Sequence, residues 1–147
     1  MYNVIILWAP DSAENRRVAE AMRAALDQGK FSAIAKKAAE SSIVDIVAAD
    51  LIVIGVQKSG AAEVPTEYFE LMRIFKGITL AGRAAAVFSV GAEKASQKLR
   101  KSLKDTEIAL FEDDPVFVDQ KPDKAPEAGD WVRKVAGFLE EVRDSRA

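Results

Sequence analysis

The segment Pro10–Asn15, with the sequence PDSAEN, places a carboxylate, a hydroxyl and a side-chain amide directly behind the apolar run NVIILW. We call it the β1–α1 turn, because the apolar run is typical of a buried strand and the residues after it follow a helical period. The first N–H groups of a helix have no partner within the helix, and the helix dipole favours an anion there. Ser12 and Asn15 are therefore candidate ligands of a phosphate group.

Asp11 is the residue in this turn that a phosphate would not favour. A carboxylate at roughly 4 Å from a phosphate dianion costs a few kcal/mol at an intermediate dielectric. Asp11 must therefore point away from the anion, be paired with a cation, or prevent anion binding. Asp and Ser are also common N-cap residues. We favour such a structural role for Asp11, and the capping and phosphate-binding roles of Ser12 and Asn15 both stay open.

The composition excludes several kinds of chemistry. The chain has no cysteine and no histidine, which rules out disulfides, thiolate catalysis, thiolate metal sites and a Ser-His-Asp triad. Asp113 and Asp114 are adjacent, so in a strand they would point to opposite faces and would not form an acid pair. We predict no catalytic residue and no metal site.

The charge is balanced, with 21 basic and 23 acidic side chains and a net charge of −2, and nothing in it indicates binding to nucleic acid or to a membrane. The apolar runs are too short to span a bilayer, and Met1 leads almost directly into a strand without a basic leader segment. We expect a cytoplasmic protein. The basic segment Glu93–Lys104 could bind an acidic partner, although a solvated helix face is the commoner explanation.

Strand-like and helix-like segments alternate along the chain. Strands are predicted at Asn3–Trp8, Phe31–Ala35, Leu51–Val56 and Ala84–Val90, with a fifth in 106–118 that Asp113–Pro115 could interrupt. Helices are predicted from Ser12 or Ala13 to Gln28, within 41–50, from Pro65, over Glu93–Lys104 and from an N-cap at Asp130. The buried side of the third helix is assigned to Tyr68, Phe69, Leu71, Met72 and Phe75.

This alternation predicts a single α/β domain over 1–147, in which a parallel sheet carries helices on both faces. Ligands of such domains bind beyond the carboxyl ends of the strands. Three loops would line that place, namely Ala9–Asn15, Val56–Val64 and Ser89–Glu93.

Four segments carry a resemblance to a known family: VIILWAPDSAENRRVAEAM, ADLIVIGVQKSG, LAGRAAAVFSVG and TEIALFEDDPVFV…DWVRKVAGFLEEV. In position and hydrophobic outline the chain resembles a short-chain flavodoxin over nearly its whole length. The resemblance implies a three-layer αβα, flavodoxin-like, doubly wound fold with a five-stranded parallel sheet in the order 2-1-3-4-5. It also implies an FMN cofactor that is bound without a covalent link.

The segments that would bind FMN depart from the family pattern. The phosphate loop of a flavodoxin, Ser/Thr-x-Thr-Gly-x-Thr, falls on Pro10–Asn15, where Pro10 lacks an N–H and Ala13 replaces the glycine. The next two loops, VQKSGAAEVP and SVGAEKASQ, contain no aromatic residue to stack on the flavin. We therefore predict degenerate FMN-binding loops.

The resemblance assigns cofactor-binding positions in all three loops. Asp11, Ser12, Ala13 and Asn15 correspond to the phosphate loop, and Gln57, Lys58, Ser59, Gly60, Ser89 and Gly91 to the loops around the isoalloxazine ring. Lys58 and Lys94 could face the pocket and would favour an anionic flavin.

Two functions follow from these assignments. The first is an FMN-binding electron carrier with a weakened or atypical flavin site, which exchanges electrons with a redox protein and has no catalytic residue of its own. The alternative is a flavin-free member of the same fold that acts as a binding or regulatory module. The sequence leaves the oligomeric state open.

Overall fold

The structure is a computed structural model that describes residues 1–57, 64–91, 96–117 and 125–146. Its strands are β1 Tyr2–Ala9, β2 Phe31–Lys37, β3 Leu51–Gln57, β4 Ala84–Val90, β5 Ala109–Leu110 and β6 Val116–Phe117. Its α-helices are α1 Ala13–Ala25, α2 Ile43–Ala48, α3 Phe69–Phe75, α4 Gln97–Lys104 and α5 Ala125–Arg146. Short 3₁₀ turns cover Ala38–Glu40 and Thr66–Tyr68.

The strands form one parallel sheet in the order β2-β1-β3-β4-β5, which confirms the predicted order 2-1-3-4-5. The predicted fifth strand consists of two short pieces, β5 and β6, and both pair with β4. Pro115, which has no N–H, lies in the gap between them. There the Arg100 guanidinium donates to the Phe111 carbonyl at 2.7 Å and to the Asp114 carboxylate at 2.8 Å, so the bend is fixed by α4.

Side chains alternate between two faces of the sheet, and each face is covered by a different layer of helices. Helices α1 and α5, which we call the α1–α5 layer, pack on alternate strand residues such as Val4, Val53 and Phe88. Helices α2, α3 and α4, which we call the α2–α4 layer, pack on the intervening residues such as Ile54 and Val87. None of the helices in the described ranges combines the length and the apolar character needed to cross a membrane.

Aromatic rings fill the α1–α5 layer. The ring of Trp131 meets Phe88, Phe117 and Phe111 edge to face, with centroids 5.9 to 6.2 Å apart. Gly55 on β3 makes room for this cluster, because a Cβ atom there would lie 2.1 Å from Cζ of Phe88. The strand run LIVIG therefore needs its glycine for close packing.

Three predictions about helices are wrong. Helix α5 begins at Ala125, so Asp130 lies inside the helix, where it pairs with Arg133 at 2.8 Å instead of serving as N-cap. Phe69 is 54 % exposed, although the pattern assigned it to the buried side of the third helix. Helix α1 also ends at Ala25, three residues before the predicted end at Gln28.

Candidate functional site

The carboxyl ends of the three central strands lie side by side. In the sheet register Ala9 of β1 pairs with Val56 of β3, and Gln57 of β3 pairs with Val90 of β4. The β1–α1 turn, Gln57 and the Ser89–Gly91 segment therefore meet at one edge, as the sequence predicted. The candidate residues Lys58, Ser59 and Gly60 lie outside the described residues, as does Lys94.

Ser12 is the N-cap of α1. Its backbone is extended, its hydroxyl oxygen accepts from the Asn15 N–H at 3.1 Å, and its carbonyl accepts from the Arg16 N–H at 3.0 Å. The peptide bond between Ala9 and Pro10 is cis. The N-cap is therefore Ser12 and not Asp11, for which the sequence analysis favoured a capping role.

Asp11 lies on the surface, with 68 % of its side chain exposed. Its carboxylate accepts from the Lys37 ammonium at 3.4 Å, where Lys37 ends strand β2, and Lys37 also meets Glu40 at 3.3 Å. The carboxylates of Glu40 and Asp11 raise the pKa of Lys37 above its ordinary value. Of the three outcomes considered for Asp11, the structure shows pairing with a cation.

The polar side chains of the turn are bonded to one another. The Ser12 hydroxyl donates to Gln57 Oε1 at 3.0 Å, and Gln57 Nε2 donates to the Glu14 carboxylate at 3.4 Å. Asn15 is fully buried, and its Nδ2 donates to the Pro10 carbonyl at 2.8 Å. Gln57, which the resemblance assigned to the isoalloxazine loops, thus contacts the β1–α1 turn.

Sequence reasoning missed Glu14 as a residue of this site. The Gln57 side chain links the Glu14 carboxylate to the Ser12 hydroxyl, with one hydrogen bond to each. A signal for it exists in the sequence, since an acidic residue in the first turn of a helix is stabilised by the helix dipole. Such a carboxylate competes with an external anion for the same helix end.

The turn retains donors for a phosphate. Within the described part of the chain, the N–H groups of Ala13 and Glu14 have no hydrogen-bond partner, and they begin a helix of 13 residues. Ala13 is an exposed residue and Glu14 is half-buried. Rotation of the Ser12 hydroxyl away from Gln57 would add a third donor. These donors therefore fit a phosphate group, although the negative charge of Glu14 opposes its binding.

The β4 end contributes buried polar groups. Ser89 is 1 % exposed, and its hydroxyl has no partner among the described residues. Gly91 has a φ of 101°, and a Cβ atom added there would have no neighbour within 4 Å, but its N–H already donates to the Phe117 carbonyl at 2.8 Å. Trp8, which the sequence placed at the rim of the core, is buried under the α1–α5 layer.

Comparison with known proteins gives a likeness in structure alone. No protein-family model matches the chain, and no curated protein matches it. Oxidised flavodoxin 1 of Bacillus cereus superposes with a TM-score of 0.82 over 92 % of this chain and 97 % of its own, at 12 % identity. The flavodoxin of Streptococcus pneumoniae TIGR4 superposes with a TM-score of 0.78. The match covers 92 % of this chain and 99 % of that flavodoxin, at 15 % sequence identity.

A short-chain flavodoxin associated with a non-canonical PDU bacterial microcompartment also superposes with a TM-score of 0.78. The superposition covers 95 % of this chain and 99 % of that flavodoxin, at 14 % sequence identity. Identity this low says nothing of the site, but the coverage is nearly complete in both directions. Together with the strand order and the two helical layers, these superpositions show that the chain has the flavodoxin-like fold.

Proposed function

We propose that the protein is an FMN-binding electron carrier whose phosphate site is weak. One observation carries the proposal: the start of α1 presents two unpartnered N–H groups at Ala13 and Glu14, while the carboxylate of Asp11 in the same turn is paired with Lys37. A helix N-terminus behind a parallel strand is the place where such folds bind phosphate. The resemblance to flavodoxins supplies the choice of FMN.

In this proposal the chain binds and orients the cofactor, and bound FMN supplies transfer of one or two electrons. The N–H groups of Ala13 and Glu14 and the Ser12 hydroxyl bind the phosphate. Asn15 holds the turn in place through Pro10. Backbone groups of Val56–Gly60 and of Ser89–Gly91 are the proposed neighbours of the isoalloxazine ring. The proposed partner is a redox protein, and the proposed location is the cytoplasm.

The weakness of the site follows from two costs. Phosphate binding replaces the bond between Ser12 and Gln57, and it brings a dianion near the Glu14 carboxylate. At a dielectric between that of water and that of a protein surface, the repulsion between two charges about 4 Å apart amounts to roughly 1 to 4 kcal/mol. Glu14→Gln should therefore bind FMN about tenfold more tightly than the wild type.

The test is a titration with FMN and with riboflavin, which lacks the phosphate, followed by quenching of flavin fluorescence. Ala13→Pro removes one N–H at the first helical position, where proline is favoured, and the extended backbone of Ser12 suits a following proline. We expect Ala13→Pro to weaken FMN binding about tenfold and to leave riboflavin binding unchanged. Ala13→Gly keeps the N–H and is the matched control. Equal FMN affinity in both variants would contradict the proposed phosphate site.

A flavin-free binding or regulatory module is the second candidate. It is favoured by the internal bonds of the turn, in which the side chains of Ser12, Gln57 and Glu14 find partners without a ligand. This candidate predicts that neither the wild type nor Glu14→Gln takes up FMN at about 100 μM. Uptake by the wild type would exclude it.

A further inference from the structure

An open cleft of about 620 Å³ lies between α3 and α4, on the outer side of the α2–α4 layer. Phe69 and Met72 from α3 form its apolar part, and Phe69 is more than half exposed there. The inward sides of the same helices are occupied in the core, by Leu71 and Leu99. Exposed Phe69 and Met72, which is partly buried against the core, therefore form an apolar strip in the lining of the cleft.

Cationic side chains surround this strip. Arg73 and Lys76 line the cleft from α3, and Lys98 and Lys101 line it from α4. Asp105 is the one carboxylate among the described residues that line it. In the described part of the chain Lys76 and Lys101 form no ion pair, whereas Arg73 pairs with Glu70, one turn earlier in α3. The cleft is thus strongly basic in a chain whose net charge is −2.

The dimensions of the cleft suit a helical ligand. Helix α4 has eight residues, so the groove between the two helices is about 12 Å long, or roughly two helical turns. A third helix packs into the groove between two others through apolar side chains spaced at i, i+4 and i+7. Acidic side chains on either side of such a stripe would meet the lysines on both walls.

We propose that the α3–α4 cleft binds an acidic amphipathic helix of a partner protein. The apolar strip of Phe69 and Met72 accepts the apolar stripe of the ligand, and the basic walls select for its acidic flanks by charge complementarity. Single-stranded nucleic acid fits less well, because stacking needs successive aromatic side chains and the described lining offers one, beside an acidic residue.

The test uses the full-length chain and a synthetic acidic peptide of about 18 residues, long enough to form a helix, with leucines at i, i+4, i+7 and i+11 flanked by glutamates. A peptide of the same composition with a scrambled stripe is the matched ligand control. Binding is followed by fluorescence anisotropy and mapped by amide chemical shifts. We expect saturable binding of the first peptide, shifts confined to α3 and α4, and weakening with added salt.

Two variants separate the apolar from the charged contribution. We expect Phe69→Ser, and independently Lys76→Glu combined with Lys101→Glu, to weaken peptide binding about tenfold each. Lys30→Glu combined with Lys134→Glu changes the same number of charges on the α5 side of the molecule and should alter the affinity less than about twofold. Circular dichroism and urea midpoints confirm that each variant is folded.

Several results would overturn the proposal. Equal affinity for the scrambled peptide would show that charge alone drives binding. Chemical shifts outside α3 and α4, or an absence of binding, would remove the cleft as the docking surface. Tighter binding of a single-stranded DNA 12-mer through the same residues would assign the cleft to nucleic acid.

Discussion

The α1–α5 layer and the α2–α4 layer cover opposite faces of one sheet with very different lengths of helix. Helices α1 and α5 have 13 and 22 residues, whereas α2, α3 and α4 have six, seven and eight. All large apolar side chains that are exposed in the described residues, apart from Met1, belong to the α2–α4 side: Ile34, Ile43, Val44, Val47 and Phe69.

The two layers therefore have different roles: the α1–α5 layer contributes mainly to stability, and the outside of the α2–α4 layer offers a surface for binding. The long helices complete the core on their side, with the aromatic cluster around Trp131 at its centre. The short helices bury some of their apolar side chains but leave others exposed, including Phe69, and α3 and α4 border a basic cleft that is open to solvent. We therefore expect substitutions in the α1–α5 layer to change mainly the free energy of unfolding, and substitutions on the outside of the α2–α4 layer to change mainly binding.

The largest expected effect is the loss of the aromatic cluster. Trp131→Ala should lower the free energy of unfolding by about 4 kcal/mol, because Trp131 is buried among three aromatic rings. Phe69→Ala, the matched substitution in the α2–α4 layer, should cost less than about 0.5 kcal/mol. Urea denaturation of both variants checks the comparison, and equal losses would refute it.

Gly55→Ala should be the next most damaging change. The new methyl group would meet the Phe88 ring, and that ring cannot move freely because Phe117 and Trp131 pack on it. We expect a loss of about 2 kcal/mol from overpacking. Gly137→Ala on α5 is the control, since a Cβ atom added there would have no neighbour within 4 Å and a helical alanine gains about 0.8 kcal/mol over glycine. A stabilised Gly55→Ala would show that the packing is loose.

Tyr68 lies in the core under the α2–α4 layer and supplies a pH-dependent prediction. Its hydroxyl donates to the Gly55 carbonyl at 2.6 Å, and burial raises the pKa of Tyr68 well above its ordinary value. Since the unfolded chain ionises this tyrosine near pH 10 and the folded chain does not, its contribution to stability is present below pH 10 and is lost as the pH rises further.

Tyr68→Phe should therefore cost about 1 kcal/mol at pH 8, through the lost hydrogen bond. The deficit should shrink as the pH is raised from about 10 to 11, because the phenylalanine variant has no hydroxyl to ionise in the unfolded state. Urea unfolding of both proteins at each pH measures the difference. A deficit that does not change with pH would mean that Tyr68 ionises in the folded protein as readily as in the unfolded chain.

The smallest expected effect is on the outside of α2. Val44 is 68 % exposed, so Val44→Lys should change the free energy of unfolding by less than about 0.5 kcal/mol. Ile46→Ala, two residues later and fully buried, should cost about 3 kcal/mol. Thermal and urea unfolding compare the two variants. A large loss of stability in Val44→Lys would mean that Val44 packs against a part of the protein that it does not contact in this structure.

Much of this architecture could be predicted from the sequence, because buried parallel strands must be apolar throughout. The run AAAVFSV predicted strand β4 with its bounds, and DLIVIG predicted β3 within one residue. The predictions about Phe69 and Asp130 were wrong for a different reason. A helical period shows that a helix has an apolar side, but burial of Phe69 depends on a neighbouring helix that covers it. The start of α5 was misplaced because an aspartate that suits an N-cap can also lie inside a helix.

The sequence predicted where the residues of the site lie along the chain, but it did not predict their hydrogen-bond and ion-pair partners. The spacing placed Ser12 and Asn15 in a turn before a helix, and both lie there. The partners of Ser12 and Asn15 depend on backbone geometry and on strand register. Gln57 reaches Ser12 because β3 lies beside β1, and Asp11 reaches Lys37 because β2 ends beside the turn. No pattern within PDSAEN encodes either contact.

The most direct test of the proposed carrier is the response of the Ala13 and Glu14 amide resonances of the purified protein to added flavin. We predict that both shift on titration with FMN, with one-to-one stoichiometry, and that riboflavin leaves them unchanged. If FMN at saturating concentration moved neither resonance, the start of α1 would not be a phosphate site, and the assignment as an electron carrier would be contradicted.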